Sequence, residues 1–136
     1  MTNKVASIIE YLDELLPNVG CELNYTKDYE LVIAVMLSAQ TTDAAVNGVT
    51  AILFSKFPTL EALHDASIND IEDIIRPLGL YKNKAKNIVG IVDKLINEFN
   101  GIVPSDKDLL QTLPGIGNKS AGVIRAEVFK IPDLPV

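Results

Sequence analysis

The segment Leu113-Pro-Gly-Ile-Gly-Asn-Lys-Ser-Ala121 places two glycines around one apolar residue, directly before a helix-like run. Gly115 and Gly117 permit backbone conformations that a side chain would obstruct, and they leave the amides of the turn bare. Amides at the start of a helix can hold a phosphate oxygen. The spacing predicts a helix-hairpin-helix motif over 110–124, with Ile116 at its turn, that binds a nucleic-acid backbone without reading bases. A plain Pro-Gly turn between two helices is the alternative.

Lys119 follows this turn, in the first turn of the second predicted helix. A lysine amine can attack a sugar carbon and form a Schiff base. We therefore regard Lys119 as a candidate nucleophile held beside a bound nucleic-acid backbone, against the alternative of an ordinary solvated lysine. Such an amine also needs a carboxylate nearby to stabilise the charge that develops on the sugar. Asp43 is one candidate for that electrostatic role.

Apolar residues recur at helical spacing along most of the chain, and capping residues or prolines bound each stretch. No convincing pair of strands appears. We expect an all-α fold, a compact bundle of about seven or eight helices that forms one domain over 1–136. The predicted helices cover 5–16, 29–37, 41 or 42 to about 54, 60–64, a short helix from 67, 81–99, 105 to about 110, and 119–129.

The composition, with 48% hydrophobic and 22% charged residues, is that of a globular protein. A net charge of −6 argues against nucleic-acid binding when taken alone. The charge is unevenly distributed, because 1–73 holds three lysines against 12 acidic residues and 74–136 holds nine basic against six acidic residues. The predicted hairpin lies in the positive part. An ordinary uneven surface is the alternative explanation.

A single cysteine, Cys21, excludes an internal disulfide and any site that needs several thiolates. No metal-ligand spacing appears, so we expect neither a metal nor a cofactor in this chain. No apolar run is long enough to cross a bilayer, and the N-terminus lacks a signal-peptide pattern. These features predict a cytoplasmic protein without a membrane partner.

Four motifs occur in a fixed order: Leu37-Ser-Ala-Gln-Thr-Thr-Asp43, Pro77-Leu-Gly-Leu-Tyr81 with Lys84-Ala-Lys-Asn-Ile88, Val103-Pro104, and the glycine hairpin. Together they resemble the endonuclease III family of the helix-hairpin-helix DNA glycosylase superfamily, over nearly the whole chain. The resemblance implies a six-helix barrel domain. It also implies a nucleoid-associated base-excision repair enzyme that removes oxidised pyrimidines and cuts the abasic strand by β-elimination. The implied partner is double-stranded DNA with a damaged base or an abasic site, with no obligate protein partner.

The resemblance also assigns roles to single residues. Lys119 matches the Schiff-base lysine of the family, and Gly115 and Gly117 match the hairpin that binds the DNA backbone. Gln40 matches the glutamine that fills the gap left by a flipped base, and Leu80 matches the apolar wedge inserted on the other side. Without the resemblance, a helix-capping glutamine and a core leucine would be the preferred interpretations. Ile116 and Lys84 complete the expected DNA contacts. For the lysines at 82, 84 and 86, a solvated helix face is the preferred interpretation and a contact with phosphates is the alternative.

The chain also departs from the family pattern. Aligned on Lys119, the catalytic aspartate of the family would directly follow Val136, and Asp133 lies too early in the segment to replace it. The cysteine-ligated region is absent as well, so a [4Fe-4S] cluster is expected only in a full-length parent. Asn118 stands where an arginine is common. We therefore expect an N-terminal portion with little turnover by itself. A non-catalytic helix-hairpin-helix DNA-binding module is the second hypothesis.

Overall fold

The computed structural model describes residues 23–130, and that range consists of helices and short loops without a strand. The all-α prediction is therefore confirmed. The expectations for a helix at 5–16, for Cys21 and for Asp133 lie outside the described residues. In chain order the helices are α1 (Asp28–Leu37), α2 (Asp43–Lys56), α3 (Leu60–Asp65), α4 (Ile68–Ile75), a 3₁₀ turn (Arg76–Leu78), α5 (Tyr81–Phe99), α6 (Lys107–Leu110) and α7 (Asn118–Val128).

Side-chain caps define where four of these helices begin. Each capping oxygen accepts a hydrogen bond from the backbone N–H three residues later, which satisfies one of the unpaired amides of the first turn. The capping residues are Thr42 for α2, Thr59 for α3, Ser67 for α4 and Asp106 for α6. The first three agree with the sequence prediction, whereas α6 begins two residues later than the predicted start at 105.

Helix α1 is the centre of the core. Every residue from 29 to 37 is buried, including the polar Glu30, whose Oε1 accepts hydrogen bonds from the backbone N–H and the hydroxyl of Thr26. Helices α2, α5 and α7 pack around α1, and α3 and α4 pack against α5. A helix that is apolar on all sides, as α1 is, needs such neighbours on every face. The C-terminal end of α1 and the segment that follows it consequently lie beside both α5 and α7.

The hairpin between α6 and α7 docks on α5 through a very close approach. A Cβ placed on Gly90 of α5 would lie 2.7 Å from Cγ of Pro114, closer than real Cβ atoms approach. Leu113 and Ile116 flank this contact, and both are buried in the core. Because the residue at position 90 is glycine and has no side chain, the hairpin can approach α5 this closely. Among residues 23–130, no helix is both long and apolar enough to cross a membrane.

Candidate nucleic-acid interface

The two glycines of the hairpin have different structural reasons to be glycine. Gly115 has a φ of +79°, and a Cβ there would lie 2.7 Å from Cγ of Met36 and 2.8 Å from Nδ2 of Asn87. The fold therefore requires glycine at 115. Gly117 has a φ of −96° and a ψ of −166°, which any residue adopts, and a Cβ there would meet nothing within 4 Å. The prediction that both glycines serve an unusual backbone conformation is correct for Gly115 and wrong for Gly117.

Backbone amides at the start of α7 lack a protein acceptor among the described residues. The first hydrogen bond of the helix runs from the Ala121 N–H to the Gly117 carbonyl, at 2.9 Å. Within the described part of the chain, no acceptor is recorded for the amides of Gly117, Asn118 and Lys119. The open space over Gly117 adjoins these amides. The N-terminus of α7 can thus accept an anion, and the helix dipole favours one there.

Ile116 does not join this exposed group. Its side chain is only 4% exposed, and its N–H donates to the carbonyl of Leu113 at 3.1 Å. Neither its side chain nor its amide is available to a ligand. The structure therefore corrects the expectation that Ile116 contacts DNA: it is the core residue that anchors the turn.

Lys119 is exposed and lines a cavity of about 390 Å³ between α7 and the segment that follows α1. Gln40 and Asp43 line the same cavity, as do the hydroxyl-bearing Ser38 and Ser120. The fold therefore brings together an amine, a carboxylate and an amide that lie up to 79 residues apart in sequence. The two serines were not singled out from the sequence, because a serine directly after a helix, like Ser38, or in its first turn, like Ser120, has no distinguishing pattern.

Gln40 also lines a second depression, of about 240 Å³, which Leu80 lines as well. Gly115 and two asparagines of α5, Asn83 and Asn87, line the same cleft, together with Met36, Ala39 and the buried Lys84. The asparagines are a further group that the sequence reasoning missed. Their spacing of four residues, starting three residues after Leu80, is the signal that places them on one helix face.

Both residues assigned to DNA insertion have left-handed backbone conformations, with φ of 62° for Gln40 and 50° for Leu80. Leu80 is the residue before α5, and its side chain is 60% exposed. Such conformations are uncommon for residues with a side chain, and they concentrate at functional sites. The exposed position of Leu80 excludes the alternative of a core leucine. Arg76 supports this loop, because its guanidinium carbon lies 4.6 Å from the ring centroid of Tyr81 and its Nη1 donates to the Tyr81 hydroxyl at 2.8 Å.

Lys84 is buried, whereas a residue that contacts DNA is expected at the surface. The residue is only 5% exposed, and its Nζ donates to the carbonyls of Leu37, at 3.1 Å, and Ala39, at 3.0 Å. Burial lowers the pKa of its amine. The structure therefore contradicts a direct DNA contact by Lys84. The neighbouring Lys82 and Lys86 are exposed on α5.

These observations define a helical scaffold that presents a glycine hairpin, a lysine and the side chains of Gln40 and Leu80 on adjoining surfaces. A family model described as HhH-GPD superfamily base excision DNA repair protein matches residues 33–134. The match covers most of the chain, so the chain belongs to the HhH-GPD superfamily.

Individual relatives are endonucleases III. The endonuclease III of Bacillus subtilis (strain 168) is 40% identical over 128 residues, which are 94% of this chain and 58% of that protein. The fold is similar to that of a non-covalent endonuclease III–DNA complex, with a TM-score of 0.82, and to that of a trapped endonuclease III–DNA covalent intermediate with an estranged adenine, with a TM-score of 0.81. In both, the identity is 40% and the match covers 97% of this chain and 62% of the other. The chain thus spans about three fifths of the length of these relatives.

Among residues 23–130, no group of three or more His, Cys, Asp or Glu side chains is arranged to hold a metal ion. The chain as a whole has one cysteine, whereas a [4Fe-4S] cluster takes four thiolates. The residues of this chain therefore do not fit such a cluster.

Proposed function

We propose that the full-length protein is a base-excision repair enzyme that removes oxidised pyrimidines from double-stranded DNA and then cleaves the abasic strand. The observation that carries the proposal is the position of Lys119, in the first turn of α7, two residues after Gly117, and in one cavity with Gln40 and Asp43. The similarity to endonucleases III, two of whose solved structures contain DNA, supports it. A cytoplasmic, nucleoid-associated location is part of the same proposal.

In this proposal the hairpin binds the DNA backbone. The amides of Gly117, Asn118 and Lys119 donate to phosphate oxygens, and the open space over Gly117 lets the backbone approach them. Such contacts fix the position of the protein on the duplex and are independent of the base sequence. A site built mainly from neutral amides, on a chain with a net charge of −6, neutralises few phosphates. Its affinity for DNA therefore depends only weakly on salt.

Gln40 and Leu80 open the duplex from the two sides of their shared cleft. Rotating a nucleotide out of the stack costs a few kcal/mol, and inserted side chains offset part of that cost. The exposed Leu80 side chain is an apolar wedge between base steps. The Gln40 amide both donates and accepts hydrogen bonds, so it suits the edge of a base that has lost its partner.

Lys119 performs the chemistry on the flipped nucleotide. Its nitrogen attacks C1′ of the deoxyribose, the bond from C1′ to the base breaks, and the base leaves as its protonated form. The sugar ring opens to a Schiff base on Lys119. Loss of a proton from C2′ then breaks the bond between C3′ and its phosphate oxygen, which cuts the strand. Asp43, in the same cavity, stabilises the positive charge that develops on the sugar.

Residues beyond this chain belong to the proposal as well. The aspartate that the family resemblance places directly after Val136 is a second carboxylate for the same step. We therefore propose that residues 1–136 alone turn over slowly. No step passes through an iron–sulfur cluster, and any such cluster lies outside this chain.

Borohydride trapping tests the proposal. The full-length protein is incubated with duplex DNA that contains thymine glycol or an abasic site, and sodium borohydride reduces any Schiff base to a stable adduct. We expect an adduct that disappears in Lys119→Gln and persists in Lys94→Gln, since Lys94 lies on α5 in an ion pair with Glu98. An adduct that survives Lys119→Gln, or no adduct from the wild type, would reject the assignment. Binding of abasic duplex without an adduct would favour a non-catalytic DNA-binding module.

A further inference from the structure

Lys84 connects the two turns that carry the inserted side chains. Its backbone N–H donates to the carbonyl of Leu80 at 3.0 Å, which closes the first turn of α5. Its side chain reaches across to the end of α1 and donates to the carbonyls of Leu37 and Ala39. One residue thus joins the Leu80 turn to the backbone directly before Gln40.

The location of the two carbonyl groups that Lys84 binds explains why they need a hydrogen-bond donor. Carbonyls in the last turn of a helix lack intrahelical partners, and a cation is favoured there by the helix dipole. Leu37 is the last residue of α1, and Ala39 lies one residue before the left-handed Gln40. A left-handed residue with a side chain persists only when its surroundings hold it in place. The two hydrogen bonds from Lys84 supply that restraint.

The acceptors of this buried amine also distinguish it from a lysine that serves an ion pair. Both recorded acceptors are neutral carbonyl oxygens, and no carboxylate lies within salt-bridge distance of Lys84 among the described residues. Burying an ammonium group in this way is costly unless hydrogen bonds compensate for the lost water. An uncharged side chain of similar length would fill the same space at a lower cost, so packing alone does not account for a lysine.

We propose that Lys84 is a positioning residue that holds Gln40 at the distance from Leu80 that DNA insertion requires. The inference rests on the proposed function for its consequence in DNA binding, but the restraint on the backbone can be measured without DNA. Lys84 touches no DNA in this proposal and acts through Gln40.

The first experiment measures hydrogen–deuterium exchange in the absence of DNA. The amides of Ala39 and Thr41 donate to Met36 and Ser38, so they report on the turn that holds Gln40. We expect these amides to exchange at least tenfold faster in Lys84→Met than in the wild type, while α3 is unchanged. Lys94→Met, on the same helix, is the matched control and keeps the wild-type rates. Equal exchange in Lys84→Met and wild type would overturn the restraint, whether or not the protein binds DNA.

The second experiment is a double-mutant cycle on DNA affinity, with the full-length protein and a duplex that carries a tetrahydrofuran abasic analogue. We expect Lys84→Met and Gln40→Ala each to weaken binding about tenfold, and the double variant to bind within about threefold of either single variant. Lys94→Met binds as the wild type does. If Lys84→Met does not fold, Lys84→Leu, which also lacks a donor, takes its place in both experiments.

The outcomes separate the two proposals. Losses that multiply in the double variant, or wild-type affinity in Lys84→Met, would overturn the action of Lys84 through Gln40. A wild-type protein that does not bind the abasic duplex would overturn the proposed function and the DNA-binding part of this inference, while the exchange rates would still decide whether Lys84 restrains the turn.

Discussion

Gln40 and Leu80 line one cleft, and each holds its side chain on left-handed backbone. The fold thus accepts two strained turns at the two positions where side chains would enter DNA. Strain of this kind is typical of sites that are shaped for a ligand rather than for stability.

Replacing Leu80 by glycine should stabilise the fold and weaken DNA binding. Left-handed backbone costs a residue with a side chain about 1–2 kcal/mol, and the greater unfolded-state freedom of glycine offsets part of the gain, so we expect the unfolding free energy to rise by up to about 1 kcal/mol. Loss of the wedge should reduce affinity for an abasic duplex about tenfold, or about 1.4 kcal/mol. Chemical denaturation and fluorescence anisotropy measure the two effects.

Asn100→Gly is the matched control for this trade-off. Asn100 has the same left-handed conformation, with a φ of 56°, but it ends α5 at the far end of that helix from Leu80. It should gain less stability than Leu80→Gly, because asparagine tolerates left-handed backbone better than leucine does, and it should leave DNA affinity unchanged. Unaltered affinity in Leu80→Gly would remove the wedge from the proposed mechanism.

The two hairpin glycines should respond in opposite ways to alanine. Gly115→Ala combines a positive φ with contacts of 2.7 and 2.8 Å to Met36 and Asn87, so we expect it to destabilise the fold by about 1–3 kcal/mol. Gly117→Ala meets open space on extended backbone, so its unfolding free energy should change by less than about 0.5 kcal/mol. Its new methyl group covers the bare amides, however, and DNA affinity should fall about tenfold, or about 1.4 kcal/mol. Normal DNA binding by Gly117→Ala would mean that these amides do not hold a phosphate.

Two helix caps provide a test of how α2 positions the carboxylate near Lys119. Thr42 and Thr59 each cap a helix by accepting from the third amide of its first turn, so alanine at either position should cost about 1 kcal/mol of stability. Asp43 is the residue directly after the Thr42 cap, and it lines the Lys119 cavity. We therefore expect Thr42→Ala, but not Thr59→Ala, to slow Schiff-base trapping in the full-length protein. Equal trapping rates in both variants would argue against a role for this turn.

Tyr29 should make the fold less stable at high pH. Burial, with a smaller contribution from the charge of Glu30, raises the pKa of its hydroxyl from 10.0 to about 12. Between those two pH values the folded state keeps a proton that the unfolded state has lost, so the unfolding free energy falls as the pH rises through this window. Tyr29→Phe should lack this loss, as seen in denaturant unfolding at a series of pH values. Ultraviolet titration of the folded protein gives the second check, because Tyr81→Phe should keep a tyrosine transition near pH 12 that Tyr29→Phe loses.

The helices were accessible from the sequence because their signals are local. Apolar periodicity and the caps at Thr42, Thr59 and Ser67 depend only on residues within a few positions of each other. The 3₁₀ turn at Arg76–Leu78 was not predicted, since its three residues carry no periodic signal. The positions of Gln40 and Leu80 came from the resemblance to a known family, and their backbone conformations from the structure alone.

The errors at the site share one physical cause. Helical spacing puts Lys84 on a different side of α5 from Lys82 and Lys86. What its amine binds, however, is decided by two carbonyls that lie 47 and 45 residues away in the sequence. Ile116 is likewise an apolar residue in a turn, and only the docking of the hairpin decides that it is buried. Sequence patterns identify which residues carry chemistry, whereas long-range packing decides which of them remain accessible.

The close approach between Gly90 and Pro114 has a consequence for engineering this scaffold. A side chain at 90 would push the proline ring outward, and the whole glycine turn would tilt with it relative to Gln40 and Leu80. Positions 90 and 114 therefore form one packing unit: a larger residue at 90 needs a smaller one at 114 if the hairpin is to keep its distance from α5.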